Sequence, residues 1–123
     1  MTYLLIGLGG FLGANARYLL GSWIVTRYGT RFPYATLVIN VSGSFLLGFF
    51  LVLIFERLLL PSDWHFFFAI GFLGAYTTFS TFSYESGALL QDGYVLLALA
   101  NMVGSVVLGL VAVLIGAALA RLL

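Results

Sequence analysis

Four long runs of apolar residues follow one another along the chain. They cover approximately residues 3–26, 34–55, 64–90 and 94–120. Each run is longer than the roughly 20 residues that a helix needs to cross a hydrocarbon core of about 30 Å. The short segments between the runs contain Gly, Pro, Asp and Arg, which is typical of turns. The pattern predicts an all-α membrane protein with four transmembrane helices in a single domain, residues 1–123.

The composition agrees with this class and excludes several others. Hydrophobic residues make up 63% of the chain and charged residues only 7%, too few for the surface of an ordinary soluble domain. The first run has neither a basic region before it nor a small-residue cleavage site, so we expect it to be the first span. The net charge of +1 argues against a nucleic-acid partner. Without cysteine, metal-ligand spacing, a phosphate-binding loop or a nucleophile motif, the chain is not expected to be an enzyme.

The loop arginines are divided equally between the two sides of the predicted bundle. Arg57 and Arg121 share the side of the chain termini, and Arg27 and Arg31 lie on the other side. The positive-inside rule therefore gives no preferred orientation. Either the chain is too short for the rule to be informative, or it inserts both ways and pairs with a second, antiparallel copy. A bundle of four helices has little room for an enclosed pore, and this favours a partner copy.

The third run contains a polar segment, Gly71–Glu85, with the sequence GFLGAYTTFSTFSYE. A helix that faces lipid would not tolerate this content of glycines, hydroxyl groups and a carboxylate. It is expected instead where a helix breaks at membrane depth and lines a polar path. A break near Gly74–Thr77 would free backbone carbonyl oxygens, which are suitable ligands for a hard cation.

Arg17 and Glu85 are ionisable residues inside the predicted spans. Charges in lipid are costly, so both side chains are expected to face protein or water. Arg17 can set a positive potential at the mouth of a polar path. Glu85 can bond to the hydroxyl of Thr81, which lies one helical turn earlier. A structural role, as an ion pair or a hydrogen bond, is the alternative for each.

Two polar pairs have the spacing of one helical turn. Asn40 and Ser44 are four residues apart, as are Asn101 and Ser105, so each pair lies on one helix face. Their amide and hydroxyl donors can replace part of the hydration shell of an anion without the strong hold of a full charge, so the ion can enter and leave. The alternative is that both pairs make hydrogen-bonded contacts between helices.

Phe79 and Phe82 are three residues apart and lie on one side of the third helix. The edge of an aromatic ring is electropositive, so two such edges can face an anion in a narrow, weakly hydrated slot. Simple packing is the alternative, and the many hydroxyl groups around the two rings make it less attractive.

Three segments of the chain resemble the motifs of a known family. Residues 9–18 (GGFLGANARY), 40–48 (NVSGSFLLG) and 71–85 are similar, in this order, to the first-, second- and third-helix motifs of the Fluc/CrcB fluoride channels. The length and the four-helix layout are similar as well, so the resemblance covers essentially the whole chain.

The resemblance implies a dual-topology homodimer in the cell membrane, in which two antiparallel subunits form two pores for the passive export of fluoride. It implies that Phe79, Phe82 and Asn40 line the pore. It also implies a structural sodium ion (Na⁺), which is not transported, held at the dimer interface by backbone carbonyls of Gly74 and Thr77. The implied partners are fluoride, a second copy of the chain and the lipid bilayer.

In the fourth helix the resemblance is less close. Ser105 falls where the family has a pore hydroxyl, but Asn101 falls where some members have a tyrosine and Gly109 where some have a serine. The complete predicted pore set is Phe79, Phe82, Asn40, Ser44, Asn101, Ser105 and Thr81, with Arg17 and Glu85 as supporting charges.

Two other functions fit a short protein with four spans. A proton-coupled exporter of the small-multidrug-resistance kind needs a central carboxylate in the first helix, where this chain has Arg17 and no acidic residue. A membrane assembly factor without transport activity would show no ion flux, and it would tolerate Asn40→Asp or Phe79→Ala.

Overall fold

All residues from Met1 to Leu123 are described by the computed structural model, and every regular element in it is a helix. Four helical spans are long and apolar enough to cross a membrane: Thr2–Tyr28, Tyr34–Arg57, Ser62–Gln91 and Val95–Arg121. The prediction of an all-α, multi-pass membrane protein with four spans is therefore confirmed. The predicted bounds lie within two residues of these.

Three of the four spans are continuous helices. The first is α1 (Thr2–Tyr28) and the fourth is α6 (Val95–Arg121). The second is α2 (Tyr34–Val52), which widens into a π-helical turn at Leu53–Arg57. α1 is followed by Gly29, whose φ of 77° lies in the left-handed region that glycine adopts without steric cost.

The third span is built from several pieces. In chain order they are α3 (Ser62–Trp64), a π-helical segment (His65–Leu73), α4 (Gly74–Tyr76) and α5 (Phe79–Gln91). Between α4 and α5, Thr77 and Thr78 have extended backbone, with ψ angles of 157° and 121°. Two successive β-branched residues favour this conformation over a helix. The last helical residue before the extended pair is therefore Tyr76, and the extended backbone begins at Thr77, the last residue of the segment Gly74–Thr77 where the break was expected.

α1 packs directly on the π-helical segment of the third span. A Cβ atom at Gly9 would overlap the carbonyl oxygen of Phe67, and one at Gly13 would overlap the carbonyl oxygen of Phe72. Glycines at these two positions let the backbones of the helices approach closely. This contact holds the first half of the third span against α1.

α2 and α6 approach each other through a reciprocal pair of glycines. A Cβ atom at Gly48 would overlap the carbonyl oxygen of Val113, and one at Gly116 would overlap the carbonyl oxygen of Phe45. Each helix therefore contributes one glycine to a contact between backbones. The pair fixes α6 beside α2, and this brings the polar residues of the two helices to the same side of the bundle.

A small buried core lies next to the extended residues of the third span. It consists of Ile39 from α2 together with Leu73 and Tyr76. The Tyr76 hydroxyl and Ser42 Oγ are hydrogen-bonded at 2.8 Å, which ties the last residue of α4 to α2. Many other large apolar side chains are exposed in the single chain. Such outer faces suit contact with lipid or with another protein copy.

Candidate functional site

The side chain of Asn40 is paired with the backbone of Thr78. Asn40 Nδ2 donates to Thr78 O at 3.0 Å, and Thr78 N–H donates to Asn40 Oδ1 at 2.9 Å. In an uninterrupted α-helix the Thr78 N–H would instead donate to Gly74 O. The amide therefore satisfies both polar backbone groups of a residue that has left the helix. One of the two N–H groups of Asn40 Nδ2 remains for another acceptor.

Other backbone carbonyl groups next to the interruption also have side-chain partners. Arg17 Nε donates to Ala75 O at 3.1 Å, and Thr77 donates to Leu73 O both through its N–H at 3.1 Å and through Oγ1 at 2.9 Å. The Thr77 carbonyl oxygen accepts no hydrogen bond within the chain. The carbonyl oxygens of Gly74 and Tyr76 likewise have no partner across the interruption.

Arg17 is the supporting charge that the structure brings closest to the interruption. Its guanidinium contacts a carbonyl oxygen, and the ion pair of the chain joins two other residues, Arg121 and Glu56. Arg17 therefore makes no ion pair with a carboxylate of the same chain.

Thr78 also organises the start of α5. Its Oγ1 accepts a hydrogen bond from Thr81 N–H at 3.3 Å, which is the usual role of threonine at a helix N-cap. The same Oγ1 donates to Thr81 Oγ1 at 3.2 Å. Phe79 and Phe82 follow on the first turn, with ring centroids 5.9 Å apart and an interplanar angle of 35°. Phe79 is 74% exposed in the single chain.

A groove of about 390 Å³ lies beside the interruption, between α2, the third span and α6. It brings together seven of the residues that the sequence analysis selected, and none of its lining side chains is charged. These seven are Asn40, Ser44, Phe79, Phe82, Ser105, Gly74 and Thr77.

The remaining selected residues lie elsewhere. Arg17, Thr81 and Glu85 line a second cavity of about 450 Å³, and Thr78 lines both this cavity and the groove. The expected bond between Glu85 and the Thr81 hydroxyl is not formed in the single chain. Thr81 Oγ1 accepts from Thr78 Oγ1 at 3.2 Å, and Glu85 Oε1 is buried without a hydrogen-bond partner.

Asn101 does not line the groove. Its side chain is only 1% exposed, donates through Nδ2 to Ser86 Oγ at 2.9 Å and accepts from Ser105 Oγ at 3.3 Å. The residue that the sequence analysis placed in the pore set thus lies behind the groove, because the packing of α5 on α6 covers it. Ser86 was not among the candidates predicted from the sequence. Its spacing of four residues from Phe82 places it on the same face of α5, and this was the available signal.

Gly109 lies opposite Ser44. A Cβ atom at Gly109 would be 3.6 Å from Ser44 Oγ, an ordinary van der Waals distance. The position therefore has room for a small side chain, in contrast to the two glycines where α2 and α6 touch.

The fold and the groove define a multi-pass membrane protein with an uncharged groove beside an interrupted span. Residues 4–117 match the family model described as CrcB-like protein, Camphor Resistance (CrcB). The chain belongs to this family, which confirms the resemblance noted from its three motifs.

Several relatives are similar over nearly their whole length. The fluoride-specific ion channel FluC of Solibacter usitatus is 51% identical over 121 residues, covering 98% of this chain and 99% of the relative. The protein of the same name from Chloroflexus aurantiacus is 49% identical over 118 residues, covering 96% and 94%. That from Acidobacterium capsulatum is 47% identical over 116 residues, covering 94% and 93%. The family is one of ion channels, and the prediction that the chain is not an enzyme is thereby confirmed.

Proposed function

We propose that this chain is a fluoride-selective channel through which fluoride leaves the cell passively. The observation that carries the proposal is the groove at Thr77–Thr78, which is lined by neutral donors and two phenylalanines and by no charged side chain. The similarity to relatives named as fluoride-specific channels supports the choice of ion. No covalent bond changes in such a process, so the chain has only to replace water around the ion and release it again.

Neutral groups of the groove provide the replacement for that water. The hydroxyls of Ser44 and Ser105 and the remaining N–H of Asn40 can donate to an anion, and the edges of Phe79 and Phe82 are electropositive. The N-terminal end of α5 adds a partial positive charge from its aligned peptide dipoles. Each of these interactions is weaker than a full ionic contact, which allows binding to offset dehydration while still permitting exit.

We infer that the working form is an antiparallel homodimer with two pores, with the interruption of the third span at membrane depth. Phe79 is largely exposed in the single chain although it lines the groove, so a second copy is needed to enclose the path. The equal division of the loop arginines is compatible with insertion in both orientations. We place the dimer in the cell membrane, where an outward path releases the fluoride that accumulates when HF enters and ionises.

A structural sodium ion fits the interruption. The Thr77 carbonyl oxygen has no partner within the chain, and Thr78 N–H is diverted from Gly74 O to Asn40. Carbonyl oxygens are hard ligands, and the chain has no cluster of acidic, His or Cys side chains that would hold a metal instead. When bound, the sodium ion would supply a fixed positive charge between the two copies. Gly74 and Thr77 of this chain would hold it through their backbone.

Reconstitution in liposomes tests the channel proposal. Vesicles loaded with fluoride or with chloride are diluted into a solution without the ion, and an ion-selective electrode follows efflux after a potassium ionophore removes the membrane potential. We expect fast release of fluoride and little release of chloride. Equal rates for the two anions, or no fluoride release by correctly folded protein, would contradict the proposal.

The same vesicles distinguish the proton-coupled exporter from the channel. An exporter of that kind would move an organic cation against its gradient when a proton gradient is imposed. α1 contains no acidic residue to exchange the proton, so we expect no such uptake. A membrane assembly factor would give neither fluoride release nor cation uptake.

A further inference from the structure

A buried polar bridge joins α5 to α6 behind the groove. Asn101 Nδ2 donates to Ser86 Oγ at 2.9 Å, and the two side chains are 1% and 4% exposed. It is the side-chain hydrogen bond that connects these two helices. A buried amide requires such partners, because an unpaired polar group in this position would be costly.

The bridge reaches the groove through one residue. Ser105 follows Asn101 by four residues on the same face of α6, and its Oγ donates to Asn101 Oδ1 at 3.3 Å. Ser105 lines the groove, whereas neither Asn101 nor Ser86 does. The distance is longer than the 2.5–3.0 Å usual for O–H···O hydrogen bonds, so this contact is weak and easily exchanged.

We propose that Asn101 is a positioning residue that competes with the permeating anion for the Ser105 proton. A serine hydroxyl has one proton, so Ser105 can donate to Asn101 Oδ1 or to an anion, but not to both. Ser86 holds the amide so that Oδ1 stays within reach of Ser105. The inference rests on the proposed channel function and adds that Asn101 acts on the ion only through Ser105.

The competition has a defined effect on binding. When the anion leaves, the Ser105 proton returns to Asn101 rather than remaining unpaired, so release costs less than it would otherwise. Removal of the acceptor should therefore strengthen anion binding at Ser105 and slow release. A conduction path needs binding that is weak enough for exit. The competition for the Ser105 proton lowers the affinity for the anion without removing a polar group from the groove.

The test measures the initial rate of fluoride efflux against fluoride concentration for the full chain in liposomes. We expect Asn101→Leu to lower the half-saturating fluoride concentration by about two- to threefold, the lower part of the range for one hydrogen bond. In a Ser105→Ala background, the same substitution should have no further effect on this concentration. Asn15→Leu is the matched control, because Asn15 Nδ2 is bonded to Phe11 O on its own helix and Asn15 does not line the groove.

A second variant keeps the test usable if Asn101→Leu fails to fold. The double variant Ser86→Ala/Asn101→Leu replaces the bridge by apolar groups and leaves no unpaired hydroxyl at position 86, while Ser105 still loses its acceptor. An unchanged or increased half-saturating concentration would overturn the inference, as would an equal change with and without Ser105. If the wild-type chain itself released no fluoride, the proposed function would fail as well. If the wild-type chain conducts fluoride but the effects of Asn101→Leu and Ser105→Ala simply add, this inference alone would be overturned.

Discussion

The side-chain amide of Asn40 and the peptide group of Thr78 form two hydrogen bonds with each other, at 2.9 and 3.0 Å. The pairing resembles a rung of a β-ladder, made by a side chain on α2 and a residue that has left the helix. It compensates both polar groups of Thr78 within an apolar bundle. Asn40 therefore has a structural role in addition to the N–H donor that it can offer to an anion.

Asn40→Asp should weaken this pairing from one side only. The carboxylate can still accept from Thr78 N–H, but it cannot donate to Thr78 O, and its charge repels an anion. An unpaired buried carbonyl costs about 1–3 kcal/mol, so we expect fluoride efflux to fall about tenfold or more. The exposed Asn15→Asp serves as the control. Efflux at the wild-type rate would show that the pairing is dispensable.

Phe79→Leu should separate the electropositive ring edge from simple packing. Leucine retains an apolar side chain of similar size but has no ring edge to face an anion. We expect about a two- to tenfold decrease in fluoride efflux, measured with the electrode, and a larger decrease for Phe79→Ala. Phe11→Leu, at an exposed position on α1, should have little effect. If Phe79→Leu conducts like the wild type, the ring serves only for packing.

Gly43→Ala should displace Thr77, and a second substitution should restore it. A Cβ atom at Gly43 would overlap Thr77 Cγ2 and would lie 3.2 Å from the Tyr76 ring. We expect a loss of about 1–3 kcal/mol in the free energy of unfolding, together with slower efflux. Thr77→Ser removes Cγ2 but keeps the hydroxyl that bonds to Leu73 O. The double variant should therefore recover part of the free energy of unfolding and part of the efflux rate. A failure to recover would mean that the effect of Gly43→Ala does not come from the contact with Thr77 Cγ2.

Two glycines of α6 should respond differently to alanine. Gly116→Ala introduces a methyl group against the carbonyl oxygen of Phe45, and we expect it to lower the free energy of unfolding by about 1–3 kcal/mol. Gly109→Ala meets only Ser44 Oγ at 3.6 Å, so a change of about 0.5 kcal/mol or less is expected. The two variants are compared by thermal unfolding in detergent, with size-exclusion chromatography as the measurement of the folded fraction. Equal sensitivity would argue against the packing of α2 on α6.

Removal of sodium should slow fluoride efflux if the interruption holds the proposed ion. Replacement of Na⁺ by a large organic cation during purification and assay would leave the carbonyls of Gly74 and Thr77 without their ligand. We expect efflux to fall and to recover when Na⁺ is returned. Thr77→Ser should not change this sodium dependence, because the proposed ligand is the backbone oxygen. Efflux that is independent of sodium would exclude the ion from the working channel.

The third span shows how far the sequence could predict the site. The content of Gly71–Glu85 predicts an interrupted helix and makes Phe79 and Phe82 candidates for the pore, because these predictions depend only on residues close together in the chain. The sequence could not show that Asn40 binds the Thr78 peptide or that Arg17 binds Ala75 O. These contacts join residues 38 and 58 positions apart. They depend on how the helices are packed.

The same distinction applies to the fourth span. Asn101 and Ser105 share a helix face, as their spacing requires, but only Ser105 reaches the groove. α5 covers Asn101 and supplies Ser86 as its partner. Helical periodicity places residues on a face without saying which part of that face another helix will cover.

The sequence by itself determined the class of this protein, the number of its spans and the place of the polar segment. Transfer of a helix into lipid depends on the summed polarity of about 20 consecutive residues, a property that can be read locally. The tertiary structure decided which polar groups face the groove and which ones satisfy the interrupted backbone. Those assignments follow from glycine contacts that set the distances between helices, and side chains far apart in the chain then compete for the same partners.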